Sequence, residues 1–130
     1  MLFRSHLELS FDSEEYTIEG NEEMLKQVWV NLLDNAIKFS PDHGRLEISI
    51  SGSEGWLSIK FFNEGDMIPP DKIPHLFDKF YQADPSHSTT GNGLGLAIAK
   101  KITELHKGEI CVHSRDSGTV FEVRLPYPCP

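Results

Sequence analysis

Apolar residues along the chain recur at two periods, and each change of period marks an element. Leu7, Leu9 and Phe11 alternate with Glu8 and Ser10, which predicts a strand over Leu7–Phe11, and Tyr16 and Ile18 suggest a short second one. Asn21 is a suitable N-cap, and Glu22 and Glu23 suit the positive end of a helix dipole. From there Met24, Leu25, Val28, Trp29, Leu32, Leu33, Ala36 and Ile37 recur at helical spacing until Ser40-Pro41 stops the run. Leu46, Ile48 and Ile50, then Leu57, Ile59 and Phe61, alternate with polar or outward residues across a turn at Gly52–Gly55, a hairpin signature.

Residues Asn63–Pro70 break regular structure with one glycine and two prolines. The stretch Ile73–Tyr81 predicts a short helix with Ile73, Leu76, Phe77 and Phe80 inward, and Gln82–Asn92 is a polar candidate for a mobile loop. Leu94–Lys107 reads as a second long helix burying Leu94, Ala97, Ile98, Ile102 and Leu105, with Gly108 as its C-terminal cap. Ile110 and Val112 begin a strand, and Phe121, Val123 and Leu125 belong to a last one after a turn at Asp116–Gly118. Strands interrupted by two long helices, with two hairpins, predict an α/β two-layer sandwich with helices on one face of a sheet.

At 130 residues the chain suffices for one domain with one core. A net charge of −8 disfavours nucleic acid or an anionic membrane as partner, because the global field repels both. Two cysteines, Cys111 and Cys129, are too few for a disulfide scaffold and point to a reducing, cytosolic compartment. No run approaches 18 apolar residues, and the opening Met1–Ser5 is too short for a signal peptide; a membrane-bound parent protein stays open.

Two polar features stand out against this frame. At 100° per residue Asn31, Asn35 and Lys38 fall within an arc of about 60° beside the apolar stripe. Asparagine is a mediocre helix former, so the pair is either exposed and tolerated or a rim facing a ligand. In the second case the amide oxygens would suit a hard divalent cation and Lys38 a phosphate. Gly91-Asn92-Gly93-Leu94-Gly95-Leu96 leads into the second long helix and clears side chains from the approach to its N-terminal amides. It matches neither the dinucleotide fingerprint nor a Walker A loop. Alone it is weak and also fits a loop without ligand; beside the asparagine line it suggests one site for phosphate and metal.

Together these residues resemble the ATP-binding catalytic domain of sensor histidine kinases, in the superfamily that includes gyrase B, Hsp90 and MutL. The likeness spans Asn21–Pro126: Gln27–Pro41 is similar to the N box, Leu76–Tyr81 to the F box, Gly91–Leu96 to the second glycine box and Gly118–Phe121 to the last glycine motif. It implies a Bergerat ATP-binding sandwich, a mixed sheet with three helices on one face. It further implies that Asn35 coordinates Mg²⁺ on ATP with Asn31 assisting, that Lys38 meets phosphate and that Phe39 lines the pocket. The nucleotide would also touch Asn63, Gly65, Met67, Ile68, Phe80, Tyr81, Leu94 and Leu96. A lid over about Met67–Asn92 would hinge at Gly91, Gly93 and Gly95, which present amides to the phosphates, and Thr119 would support the adenine end.

The chain departs from the pattern in three places. Asn63 stands where an aspartate usually accepts from the adenine amino group, Met67 replaces a glycine, and Gln82 an arginine. Asn31 stands where gyrase-like relatives carry a water-activating glutamate; asparagine cannot act as a general base, so rapid hydrolysis is not expected.

None of the six histidines (His6, His43, His75, His87, His106, His113) has the helical setting of a phosphoacceptor, and no cluster supports zinc. The resemblance therefore implies a protein-histidine kinase catalytic fragment, inactive without a separate helical dimerisation domain that carries the phosphoacceptor. Its second partner would be a response regulator, and its setting the cytoplasmic part of a bacterial membrane-anchored sensor. The isolated domain is expected to be monomeric and the full protein homodimeric. The alternative is a degenerate nucleotide-sensing or docking module without phosphotransfer.

Overall fold

The computed structural model describes residues 8–11, 20–41, 43–53, 55–79 and 94–126. The expected Tyr16–Ile18 strand, the Gln82–Asn92 loop, Cys129, His6 and His87 lie outside the described residues, as do the side chains of residues 8–11 and of Phe39. In chain order the elements are β1 (Glu8–Phe11), α1 (Glu22–Phe39), β2 (Arg45–Ser53), β3 (Trp56–Asn63), a 3₁₀ turn (Ile73–His75), α2 (Gly95–Leu105), β4 (Glu109–Arg115) and β5 (Gly118–Pro126). One mixed sheet has the order β1-β2-β3-β5-β4, with β1 parallel to β2 and every other pair antiparallel.

Helix α1 forms where its caps and stripe require it. Asn21 Oδ1 accepts the Met24 N–H at 3.0 Å, and Glu22 and Glu23 occupy the first turn. Leu25, Val28, Leu32, Ala36 and Ile37 are all buried. The sheet answers with Leu57, Ile59 and Phe61 on β3 and Phe121, Val123 and Leu125 on β5, at alternate positions that share one face. Each such side chain contributes about 1.5–3 kcal/mol on leaving water. Trp29 stacks on Phe61 and Phe77 meets Phe121 edge-on, both at 6.2 Å between centroids.

The expected third helix is reduced to the Ile73–His75 3₁₀ turn, followed by turns to Lys79; Phe80 and Tyr81 lie outside the described residues. Proline at its first turn is tolerated, and the bonds that follow are of the tighter three-residue kind, His75 N–H to Lys72 O, Leu76 N–H to Ile73 O and Asp78 N–H to His75 O. Leu76 and Phe77 are nevertheless packed into the main core, as the inward pattern predicted.

Helix α2 buries a different stripe from the expected one. Ala99, Ile102 and Thr103 are buried, Ala97 and Ile98 only half-buried, and Leu105 is 58% exposed. The buried face is rotated toward small residues, and Thr103 is tolerated there because its hydroxyl donates to the Ala99 carbonyl at 2.7 Å. The C-terminus also differs: the left-handed residue is Lys107, φ 63°, not Gly108. Lys107 N–H donates to Glu104 O and Gly108 N–H to Thr103 O, both at 2.9 Å, the bond pair of a Schellman motif. Gly108 is required for space, since a Cβ there would meet Arg124 O at 2.3 Å.

Candidate functional site

At one end of the helix-bearing face the sheet turns polar. Leu46, Asn63, Thr119 and Ser114 lie in one cross-strand row, and Asn63 and Thr119 are only 4% and 3% exposed. Ile68 N–H donates to Ser114 Oγ at 2.8 Å, and Ser114 Oγ lies 2.7 Å from Thr119 Oγ1. Ser114 Oγ accepts from the amide and also shares a hydrogen bond with the Thr119 hydroxyl, in which either oxygen can donate, so a hydrogen-bonded chain links the loop after β3 to Thr119. Gly118 permits the close approach. Its φ is +148°, and a Cβ would stand 2.4 Å from Asn63 O.

The second half of the site lies between the helices. Asn31 sits on α1 beside the first residue of α2; its Oδ1 is 3.7 Å from where a Gly95 Cβ would be. Its Nδ2 is buried and has no hydrogen-bond partner among the described residues. An amide group left in that state costs about 1–3 kcal/mol. Asn35, one turn later, is half-buried, and Lys38 lies 3.8 Å from Asp34 in an i,i+4 pair. At the facing N-terminus Leu94 is the N-cap, without a side-chain cap bond. The first helical bond runs from Ile98 N–H to Leu94 O, so the amides of Gly95, Leu96 and Ala97 precede the ladder at the positive end of the dipole.

This arrangement offers amide oxygens to a hard cation and backbone N–H groups to an anion. Neutral amide oxygens suit Mg²⁺, which keeps several waters and shares its shell with phosphate. The orphaned Asn31 amide is a group that a ligand would satisfy, so the residues fit a metal–phosphate ligand.

The expected site residues fall into two described groups. Asn31 lies against Gly95 at the start of α2, next to Leu94 and to Leu96, which is half-buried against the core; Asn35 and Lys38 follow Asn31 along α1. Asn63, Thr119 and Ile68 border the polar end of the sheet, with Gly65 at the bend that follows β3. Met67 is 44% exposed. Phe80, Tyr81, Gly91 and Gly93 lie outside the described residues, and Phe39 is placed only as the last residue of α1. Ser114 escaped the sequence reading. Its signal was the alternation Ile110, Val112, Ser114, which sets a hydroxyl on the inner face.

Residues 20–128 match the family model described as histidine kinase-, DNA gyrase B-, and HSP90-like ATPase. The heme sensor protein HssS of Staphylococcus haemolyticus is 40% identical over 121 residues, covering 92% of this chain and 26% of its own length. The sensor protein VanS of Enterococcus faecium is 43% identical over 115 residues, covering 87% of this chain and 30% of its own. This chain thus spans between a quarter and a third of these relatives. Among solved structures, the mycobacterial sensor histidine kinase MprB superposes with a TM-score of 0.87 at 28% identity, covering 98% of this chain and 88% of the other. Among the described residues no helix is long and apolar enough to cross a membrane. The family model, the mixed sheet under two antiparallel helices and the asparagine line on α1 agree, and the chain belongs to the histidine kinase-, DNA gyrase B-, and HSP90-like ATPase family as a catalytic domain of the histidine-kinase type.

Proposed function

We propose that this domain binds Mg·ATP, with the phosphates and metal at the α1–α2 junction and the base toward Asn63 and Thr119. The observation that carries the reading is Asn31: a buried amide without a partner among the described residues, set against Gly95 at the start of α2. Asn35 and Asn31 would hold the metal, which when bound neutralises phosphate charge. The amides of Gly95, Leu96 and Ala97 orient phosphate oxygens, and Lys38 adds a point charge once it leaves Asp34. Asn63 and Thr119 hold the base by neutral hydrogen bonds.

Within the whole protein the bound nucleotide would give its γ-phosphoryl group to a histidine imidazole of a separate dimerisation domain: the P–N bond forms, the bond to the β-phosphate oxygen breaks, and ADP leaves. A response-regulator aspartate would then receive the group. Catalysis here is positioning and charge neutralisation. Asn31 supports transfer over hydrolysis, because no carboxylate stands at its position to activate water.

Calorimetric titration with a non-hydrolysable ATP analogue, with and without Mg²⁺, tests the binding. Magnesium-dependent binding lost in Asn35→Ala is expected; no binding at millimolar nucleotide would refute it. A second reading, a nucleotide-sensing module without transfer, draws on Asn63 in place of the usual aspartate. It predicts binding but no phosphohistidine when a matching dimerisation domain is supplied.

A further inference from the structure

The other face of the sheet carries chemistry that the nucleotide site does not use. Cys111 on β4 and Glu122 on β5 are direct cross-strand partners, and His113, two residues beyond Cys111, stands on the same side. Cys111 Sγ lies 3.8 Å from His113 Nε2 and 3.7 Å from Glu122 Oε1, and one ligand atom from each residue falls within 4.8 Å of the other two. The sequence alone showed no cluster that supports zinc; the β4–β5 register sets Glu122 opposite Cys111, a pairing that spacing along the chain does not reveal.

The spacing is close to that of a metal shell. Zinc bonds of about 2.0–2.3 Å in a tetrahedron place neighbouring ligand atoms roughly 3.3–3.7 Å apart. The two sulfur separations, 3.7 and 3.8 Å, exceed the roughly 3.5–3.6 Å of a tetrahedral sulfur–nitrogen or sulfur–oxygen pair by only about 0.1–0.3 Å. The ligand carboxylate is also held from behind. Ser58 Oγ donates to Glu122 Oε2 at 2.6 Å and Arg124 Nε donates to the same oxygen at 3.4 Å, leaving Oε1 directed at Cys111. Outer hydrogen bonds of this kind orient a ligating carboxylate. The exposed His113 ring can turn to close the third side.

We propose that Cys111, His113 and Glu122 form a site for a borderline divalent cation, Zn²⁺ by preference. Sulfur and imidazole select zinc over magnesium or calcium. Three protein ligands leave a fourth tetrahedral position for water, the arrangement of an open rather than a sealed zinc site. Burial and the neighbouring Glu122 carboxylate push the Cys111 thiol up, so metal entry must release its proton to solvent as the Zn–S bond forms.

The test uses the 130-residue chain carrying Cys129→Ser, so that one thiol remains, titrated with Co²⁺ alone and then with Zn²⁺ as competitor. Expected are a thiolate-to-cobalt charge-transfer band and tetrahedral d–d absorption at one equivalent, both removed by Zn²⁺. Cys111→Ser should abolish the charge-transfer band, and His113→Ala, a change at an exposed position, should weaken Co²⁺ binding more than about 10-fold. Absence of the band, or its survival in Cys111→Ser, overturns the proposal. Asn35→Ala should leave the band unchanged, since cobalt at the asparagine line would have oxygen ligands and no thiolate band.

Discussion

His106 Nε2 accepts the backbone N–H of Asn21 at 2.9 Å, while its Nδ1 donates to Ile102 O at 2.9 Å. An acceptor nitrogen carries no proton, so the ring is a neutral Nδ1–H tautomer that ties the end of α2 to the start of α1. The bond joins the two helices at the end remote from Asn31 and Gly95. His106→Ala should lower stability by about 1 kcal/mol, the value of a partly exposed hydrogen-bond pair. Urea unfolding checks this, and nucleotide affinity should change less than twofold.

The role proposed for Asn31 sets function against stability. Asn31→Leu removes the orphaned amide at similar volume, so the nucleotide-free domain should gain on the order of 1 kcal/mol. The same variant should lose most of its Mg·ATP affinity. Paired unfolding and titration measurements decide; a variant that is both less stable and fully competent to bind would show that the amide serves packing alone.

Gly118→Ala should be among the most damaging single changes. The methyl group would meet Asn63 O and the Phe62 ring, and the backbone conformation is one that a side chain opposes. A loss of roughly 2–4 kcal/mol is expected, in the range of mutations that combine strain with overpacking. It should be accompanied by weakened nucleotide binding, because Thr119 is the next residue. Thermal denaturation together with titration reads both.

Glu122 contributes a pH-dependent share of stability in the metal-free, chelator-treated protein. Burial pushes its carboxyl up, but hydrogen bonds from Ser58 and Arg124 and the charges of Arg124 and Lys60 outweigh that and hold it below the ordinary carboxylate value. Its other neighbour on the face, the Cys111 thiol, is neutral below its raised value. A folded-state value below the unfolded one means that the unfolded chain binds the proton first. The contribution is present above the ordinary carboxylate value of 4.5 and is lost as pH falls through the lower folded value. Glu122→Gln should therefore show a shallower loss of melting temperature between neutral and strongly acid pH than the parent. Parallel curves would contradict it.

Local signals carried much of the fold. Asn21, Glu22 and Glu23 announce the start of α1, Ser40-Pro41 its end, and strict alternation places β2 and β3 within a residue or two of their expected limits, while β5 begins at Gly118, inside the expected turn. What could not be read depends on which partner an element meets. Hydrophobicity drew the stripe of α2 through Leu105, whereas packing against α1 favoured Ala99 and Thr103. The asparagine line was visible as an oddity of one helix, but its juxtaposition with Gly95 is tertiary. Ser114 and the Cys111–Glu122 pair depend on strand register across a hairpin.

The polar row at the inner end of the sheet contains Asn63, Thr119 and Ser114, and none of these can gain or lose a proton in the biological range. An aspartate at position 63, buried to 4% exposure, would carry a desolvation cost and would lose its acceptor character on acidification. The amide avoids both. The base recognition proposed for this end of the domain would thereby be indifferent to acidity, trading the strength of a charged hydrogen bond for constancy of its donor and acceptor pattern.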